Sequence, residues 1–446
     1  MAVRFASSIL AVAMASVAVS AIPARAELQA TSEPALTARS AAEAALRANP
    51  ELQAAYHAIE AARGQLLQAG LWPNPELDLA GRSDFAFQAE GERSFGVELA
   101  QRLPIGGRLA RARDVALVDV AVALAEARDF ERRLIGEVQR AVFGLVALDQ
   151  ALEARTSVIQ TARELARVAA RRLRAAEVSE ADVNLLEIEL ARFEQERRLL
   201  DLERRNQAIQ LNRLLNRSPA TPIVVEGDLE APTTIAELDS DAVADALARR
   251  PDLEALRLAS DRARAEARLA KAESWEDWML GGGFESDRQV FRDEPASDPI
   301  GVKRDDFLAL RLSVPLPVWN RNQGRAAAAD AQERRARARL AALERAAEAE
   351  VEAATQRVAE LERVAREYHA SLLPLAERNA ALLDRAYRQG LVPITTLVQA
   401  EQQLADTTLR HARTHGELRQ AEIDLETATA ASPILAGARR NGGANP

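Results

Sequence analysis

Twice in this chain a short run of alternating apolar residues stops at a proline and opens into a very long helical run. That switch, more than any other feature, limits the folds available. In the second occurrence Leu308, Leu310, Leu312 and Val314 are apolar at alternate positions, with Arg311 and Ser313 between them. Pro315 and Pro317 end the run, Trp319 follows, and Asn320-Arg321-Asn322-Gln323-Gly324 leads into an alanine- and arginine-rich stretch. In the first, Val97, Leu99 and Leu103 alternate, Pro104 ends the run, and Gly106-Gly107-Arg108 opens the helix. A period of two belongs to a strand with one face in apolar surroundings. The helix read from Arg108 to Ala176 would be roughly 100 Å long at 1.5 Å per residue.

The duplication extends to the whole chain. Ala45-Leu46 through Asn49-Pro50-Glu51-Leu52 is answered by Ala246-Leu247 through Arg250-Pro251-Asp252-Leu253. Each half reads as short helices, a two-strand hairpin and a long helical hairpin. The first repeat is placed at 27–216, with its β-hairpin at about 76–104 and its helical hairpin at about 108–216. A linker covers 217–239. The second repeat is placed at 240–431, with a β-hairpin at about 277–315 and a helical hairpin at about 324–431; a Gly/Asn-rich tail, 432–446, is expected to be disordered. Residues 27–38 read as a flexible leader. In the third long helix one heptad position holds Val351, Val358, Ala365, Leu372 and Ala386, and the other Ala354, Leu361, Tyr368, Leu375 and Leu382. The expected class is therefore mainly α with a small β part.

Composition supports this shape. Aromatic residues are only 4% of the 446, too few for several compact cores, while 28% are charged and the net charge is −9. An acidic chain of this kind excludes nucleic acid as a natural partner. Arg4, the apolar run Phe5–Ala21 and the small-x-small site Ala24-Arg25-Ala26 read as a cleaved signal peptide, 1–26. The chain has no cysteine, so it carries neither a disulfide nor an N-terminal cysteine-linked lipid. No nucleophile–base arrangement or phosphate loop appears, and neither an enzymatic activity nor a cofactor is expected.

Four strands of barrel-like alternation cannot close a barrel, which needs about eight. Three copies would supply twelve, with outer-membrane lipid against the apolar face. Trp72, Trp275, Trp278 and Trp319 all fall near strand ends where the chain meets helix, as an interfacial belt would; the alternative is packing in a small soluble β/α core. On the belt reading Phe85, Phe87, Phe291 and Phe307 lie towards the outer rim.

Gln101-Arg102-Leu103-Pro104-Ile105-Gly106-Gly107-Arg108, Asn320-Arg321-Asn322-Gln323-Gly324, and Ala386-Tyr387 with Gly390 resemble the TolC-type outer-membrane efflux family. The Gly-Gly-Arg and Arg-Asn-Gln-Gly junctions are most similar to its cobalt–zinc–cadmium branch. The resemblance implies a homotrimer in the outer membrane of a Gram-negative bacterium, each protomer giving four strands to a shared barrel and long helices to a periplasmic tunnel. It implies a periplasmic adaptor (membrane fusion) protein and an inner-membrane RND-type transporter as partners, and a passive exit duct for divalent metal cations. It also implies a periplasmic gate, in which Asp182 and Tyr387 stand at the positions of a closing aspartate–tyrosine contact, with Gly390 at the hairpin tip. Thr396 and Gln399 occupy positions where the family can carry pore aspartates. Drug or organic-solute efflux and type I secretion are alternatives within the family. A soluble periplasmic coiled-coil adaptor or scaffold is the alternative outside it. His411 and His415 have the i, i+4 helical spacing that can hold a transition metal, but nothing adjacent in sequence completes a site, and the run reads as a solvated arginine-rich face.

Overall fold

Thr37 and Ser40 exchange side-chain and backbone hydrogen bonds in a capping box that starts helix α1 (Ala38–Ala48). Asn49 then separates it from α2 (Pro50–Ala69): its side chain accepts from the N–H groups of Glu51 and Leu52, and Pro50 occupies the first turn, where no donor is needed. The computed structural model describes residues 35–86, 91–230, 240–291, 301–431 and Ile434. The expected signal peptide, nearly all of the leader and tail, and Phe87 lie outside the described residues. The end of the leader is not free: Leu36 bridges to the linker at Val225, its N–H donating to the Val224 carbonyl at 2.9 Å.

The chain continues as β1 (Glu76–Ser83), β2 (Arg93–Leu103), α3 (Arg108–Arg174) and α4 (Glu180–Leu214). The pattern then repeats with α5 (Ser240–Arg249), α6 (Pro251–Ala272), β3 (Trp278–Phe291) and β4 (Gly301–Ser313). It ends with α7 (Gln323–Glu367), a π turn (Tyr368–Leu372), α8 (Leu373–Arg388) and α9 (Ile394–Ala428). The strands form one antiparallel sheet in the order β1-β2-β3-β4.

The duplication is visible in backbone conformation. Gly107 and Asn322, the caps of α3 and α7, both adopt the left-handed region, at φ 70° and 59°. Asparagine tolerates that region better than other residues with a Cβ. Ala176 and Gly390 take it at the two helical-hairpin tips, and Asn216 and Ala430 after α4 and α9. At each tip the same pair of bonds closes the helix, Glu177 N–H to Arg172 and Leu391 N–H to Ala386, both 2.9 Å.

The largest core cluster lies where α1 and α2 meet α3, α4 and the linker, around Leu52, Ile135, Val142, Leu145 and Leu211. Here the repeats use different chemistry at one position. Asn49 donates from Nδ2 to the Leu214 carbonyl at the end of α4, 3.1 Å away. Its counterpart Arg250, only 3% exposed, donates to the Ala428 carbonyl at the end of α9 (3.1 Å) and pairs with Asp252 and Glu350, each at 2.7 Å. Arg132, also buried, joins this network through Asp129 and the Thr427 carbonyl, both at 2.6 Å. Burial alone would push Asp252 up, yet Arg250, with Arg132 beyond it, holds its carboxyl below the usual range.

The expected heptad holds only through Ala365. Val351, Val358 and Ala365 are buried against Leu418, Ala421 and Leu425 of α9. Beyond the π turn Leu375 and Leu382 are each 59% exposed, and Ala376, Ala380 and Tyr387 are inside instead. The stripe has slipped by one residue. Pro374 has no N–H and its ring would clash with the carbonyl of the preceding turn, so the helix widens, with Leu373 N–H reaching back to Tyr368.

Candidate functional site: an uncovered sheet face, the hairpin tips and a histidine cluster

Register across the sheet sorts its side chains cleanly. Leu77, Leu99, Gly282 and Leu310 form one row, and Leu79, Val97, Phe284 and Leu308 the next, all on one face. The other face carries Asp78, Glu98, Gly283 and Ala309, then Glu76, Ala100, Gly281 and Arg311. Ion pairs knit that face, Arg102 to Glu76 at 3.2 Å and Arg311 to Glu98 at 3.7 Å. Among the described residues nothing covers the apolar face: Leu308 is 90% exposed, Leu310 82% and Leu79 66%. From Phe95 to Leu103 it runs about 26 Å along the strand at 3.3 Å per residue, comparable with the roughly 25 Å apolar band of an outer-membrane barrel.

The aromatic residues frame this face in part. Trp278 ends it, opposite Leu103. Trp72, Trp275 and Trp319 are exposed on the segments joining helices to strands. At the far end Phe85 lies in the β1–β2 turn and Phe291 closes β3. Phe307 pairs with Glu285 and falls on the polar face, one residue out of phase with Leu308.

One strand-to-helix junction is tied to the segment between α6 and β3, the other to the last turn of α6. After Pro104 and Gly106, Arg108 pairs with Asp277 at 2.7 Å. After Pro315, Asn320 accepts from Asn322 N–H, Arg321 N–H donates to Gln323, and Asn322 Nδ2 donates to the Ala270 carbonyl at 2.8 Å. Gly324, in the first turn of α7, has open space around its Cα.

At the hairpin tips the two expected gate residues are engaged separately within the protomer. Asp182 accepts from the backbone N–H and hydroxyl of Ser179, at 3.1 and 2.8 Å, in the box that starts α4. Tyr387 is buried with Ala169, Val183, Leu186, Ile394 and Leu397, and the Arg172 guanidinium lies 4.7 Å from its ring centroid. Its hydroxyl has no hydrogen-bond partner among the described residues. Thr396, half-buried, lies in the first turn of α9, and Gln399 is exposed in a groove with Tyr368, Leu375 and Asp406. A cleft of about 1040 Å³ beside Tyr387 is lined by Arg171, Asp384, Arg388 and Glu401. Burial, and then Asp384, push the Glu401 carboxyl above its ordinary value.

The histidines are not on a solvated face. His411 and His415 are half-buried, and Glu230, from the linker, brings a carboxylate oxygen to them; one donor atom from each lies within 4.8 Å of the others. His369, in the π turn, stacks on His411 with ring centroids 6.0 Å apart. Burial, with His415 next, holds His411 below its ordinary pKa, so the ring is neutral near pH 7. Sequence reading missed Glu230 because it lies far along the chain from either histidine. The only available signal was scarcity, since three of the chain's four histidines gather here.

A sheet with one lipid-compatible face and free edges, carried on paired long helical hairpins, is the fold of a channel-forming outer-membrane protein. The sequence matches the outer membrane efflux protein family over residues 41–217 and 242–431, the two structural repeats, and the chain belongs to that family. Solved structures share the fold at low identity. A membrane protein from Pseudomonas aeruginosa aligns with a TM-score of 0.70 and 19% identity over 88% of this chain and 92% of that one. CusC aligns at 0.72 and 16% over 88% and 91%, and the outer membrane protein VceC of Vibrio cholerae at 0.69 and 18% over 88% and 95%. No curated protein matches the sequence.

Proposed function

We propose that three copies close a twelve-stranded barrel in the outer membrane and form a passive exit duct for divalent metal cations. A periplasmic adaptor and an inner-membrane RND-type transporter complete the pump. The observation that carries this reading is the sheet: among the described residues its apolar face is uncovered, and β1 and β4 are free edges. Free edges of this length invite pairing with another strand. Head-to-tail joining of β4 to a neighbour's β1 satisfies both. The tryptophans then mark the periplasmic interface of the bilayer. The polar face, with Glu98 and Arg311, lines the lumen.

At the other end Asp182, Tyr387, Gly390, Thr396 and Gln399 form the gate. The metal cargo is supported by the junction sequences Gly106-Gly107-Arg108 and Arg321-Asn322-Gln323-Gly324. Two tandem hairpins, each preceded by amphipathic strands, disfavour a soluble adaptor. The test is growth of a strain lacking the protein on graded cobalt, zinc and cadmium beside a panel of hydrophobic drugs. Sensitivity confined to the metals is expected. Sensitivity to drugs alone would refute the cargo while leaving a channel, and release of the protein from membranes by salt without detergent would refute the channel.

A further inference from the structure

We propose that Glu230, His411 and His415 form a binding site for one late first-row divalent cation per protomer, beside His369, whose ring stacks on His411. The site goes beyond the cargo reading and stands whichever solute passes through the duct.

Four observations converge on it. His411 and His415 lie one turn apart on the same face of α9, the spacing by which a helix offers two imidazoles to one ion. Three of their ring nitrogens, His411 Nε2 and both of His415, are shielded from water and have no hydrogen-bond partner among the described residues. Buried polar atoms are nearly always partnered, so three orphans in two touching rings, 4.7 Å between centroids, call for a ligand that the chain does not itself supply. The carboxylate that completes the set is held in place. Leu229 is 2% exposed, the Asp228 carbonyl accepts from Arg419 one turn beyond His415, and Glu230 N–H donates to the Asp228 side chain at 2.8 Å. Finally, the π turn forced by Pro374 offsets the helix just where His369 stacks on His411.

Two imidazoles and a carboxylate with room for a further ligand are the donor set of open zinc sites and suit cobalt, nickel and copper as well. Calcium and magnesium prefer oxygen donors. The donors stand up to 4.8 Å apart. With bonds of about 2.1 Å a tetrahedral ion needs about 3.4 Å between ligands, so each donor moves inward by about 0.7 Å, within reach of small side-chain rotations. Occupancy would pin the linker between the repeats to α9.

The test uses the full-length mature chain purified in detergent and stripped with a chelator, then dialysed against zinc chloride or, as control, magnesium chloride. One zinc per chain is expected, with no magnesium retained. X-ray absorption at the zinc edge is expected to show imidazole scattering. Glu230→Gln, His411→Gln and His415→Gln should each weaken zinc binding by more than the roughly 10- to 100-fold that loss of an outer-shell partner costs. His57→Gln, at an exposed position of α2, should leave it unchanged. Retention of no zinc, a spectrum without imidazole, or full binding by the doubly substituted His411→Gln/His415→Gln chain overturns the site. If a variant fails to fold, the wild-type spectrum decides. Zinc binding without metal sensitivity of the deletion strain would sink the cargo and keep the site; metal sensitivity without zinc binding would do the reverse.

Discussion

Replacing Leu310 with arginine isolates the claim that one sheet face meets lipid. Leu310 is 82% exposed in the single chain, so no neighbour within it shields the side chain from water. A bilayer would supply most of the roughly 1.5–3 kcal/mol that a buried leucine gains. Arginine forfeits that gain and adds a charge, for a total of about 2–4 kcal/mol near the bilayer midplane. That corresponds to roughly a 30- to 700-fold loss in the folding equilibrium. Ala309 is the internal control. It is the adjacent residue but lies on the polar face, in a row with Glu98 and Asp78. Ala309→Arg should therefore change the equilibrium by less than about 1 kcal/mol. The assay is refolding of the urea-denatured chain, produced without residues 1–26, into phosphatidylcholine vesicles, with the folded fraction read across a urea titration from heat-sensitive gel mobility. Equal penalties for the two variants, or a larger one for Ala309→Arg, would refute the assignment of faces.

The buried charge network predicts an asymmetry between the repeats. Arg250→Met strands Asp252 beside a single remaining guanidinium, Arg132 at 3.5 Å, and should cost about 3–5 kcal/mol in denaturant unfolding. Asn49→Ala, at the matching position of the first repeat, removes a cap and should cost about 0.5–2 kcal/mol; equal costs would refute the distinction. Glu401 predicts a pH effect at the tips. Its carboxyl titrates above the ordinary 4.5, so the stability contributed by its neutral form is complete below that pH and is lost as pH rises through the raised value. Glu401→Gln should raise the melting temperature at neutral pH and flatten its decline above pH 4.5; an unchanged profile would count against the burial and the Asp384 repulsion.

The elements that local pattern governs were legible in the sequence. Alternation at Leu308, Leu310 and Leu312 gave the strand and its face, because a period of two fixes both together. Pro104 and Pro315 announced the strand ends. Where the reading slipped, a distant partner or a small backbone change had intervened. The heptad assigned Leu375 and Leu382 to the interior because nothing in a periodicity count reveals that one proline can reset the phase of a helix. Phe307 was grouped by residue type with Phe85 and Phe291, although the alternation already set it opposite Leu308. Arg250 looked like an ordinary charged residue before a proline, and only the ends of α4 and α9, folded back beside Asn49 and Arg250, show why the position needs a donor.

The free edges of the sheet have a consequence for inheritance as well as for shape. In the proposed trimer, a strand that finds its partner only on another molecule makes each barrel the joint product of three chains. In a cell producing equal amounts of sound and edge-defective protein, random assembly into the proposed ring leaves about one barrel in eight built wholly from sound copies. One damaged β4 edge is thereby counted three times, and a lesion that would be recessive in a single-chain pore becomes dominant here.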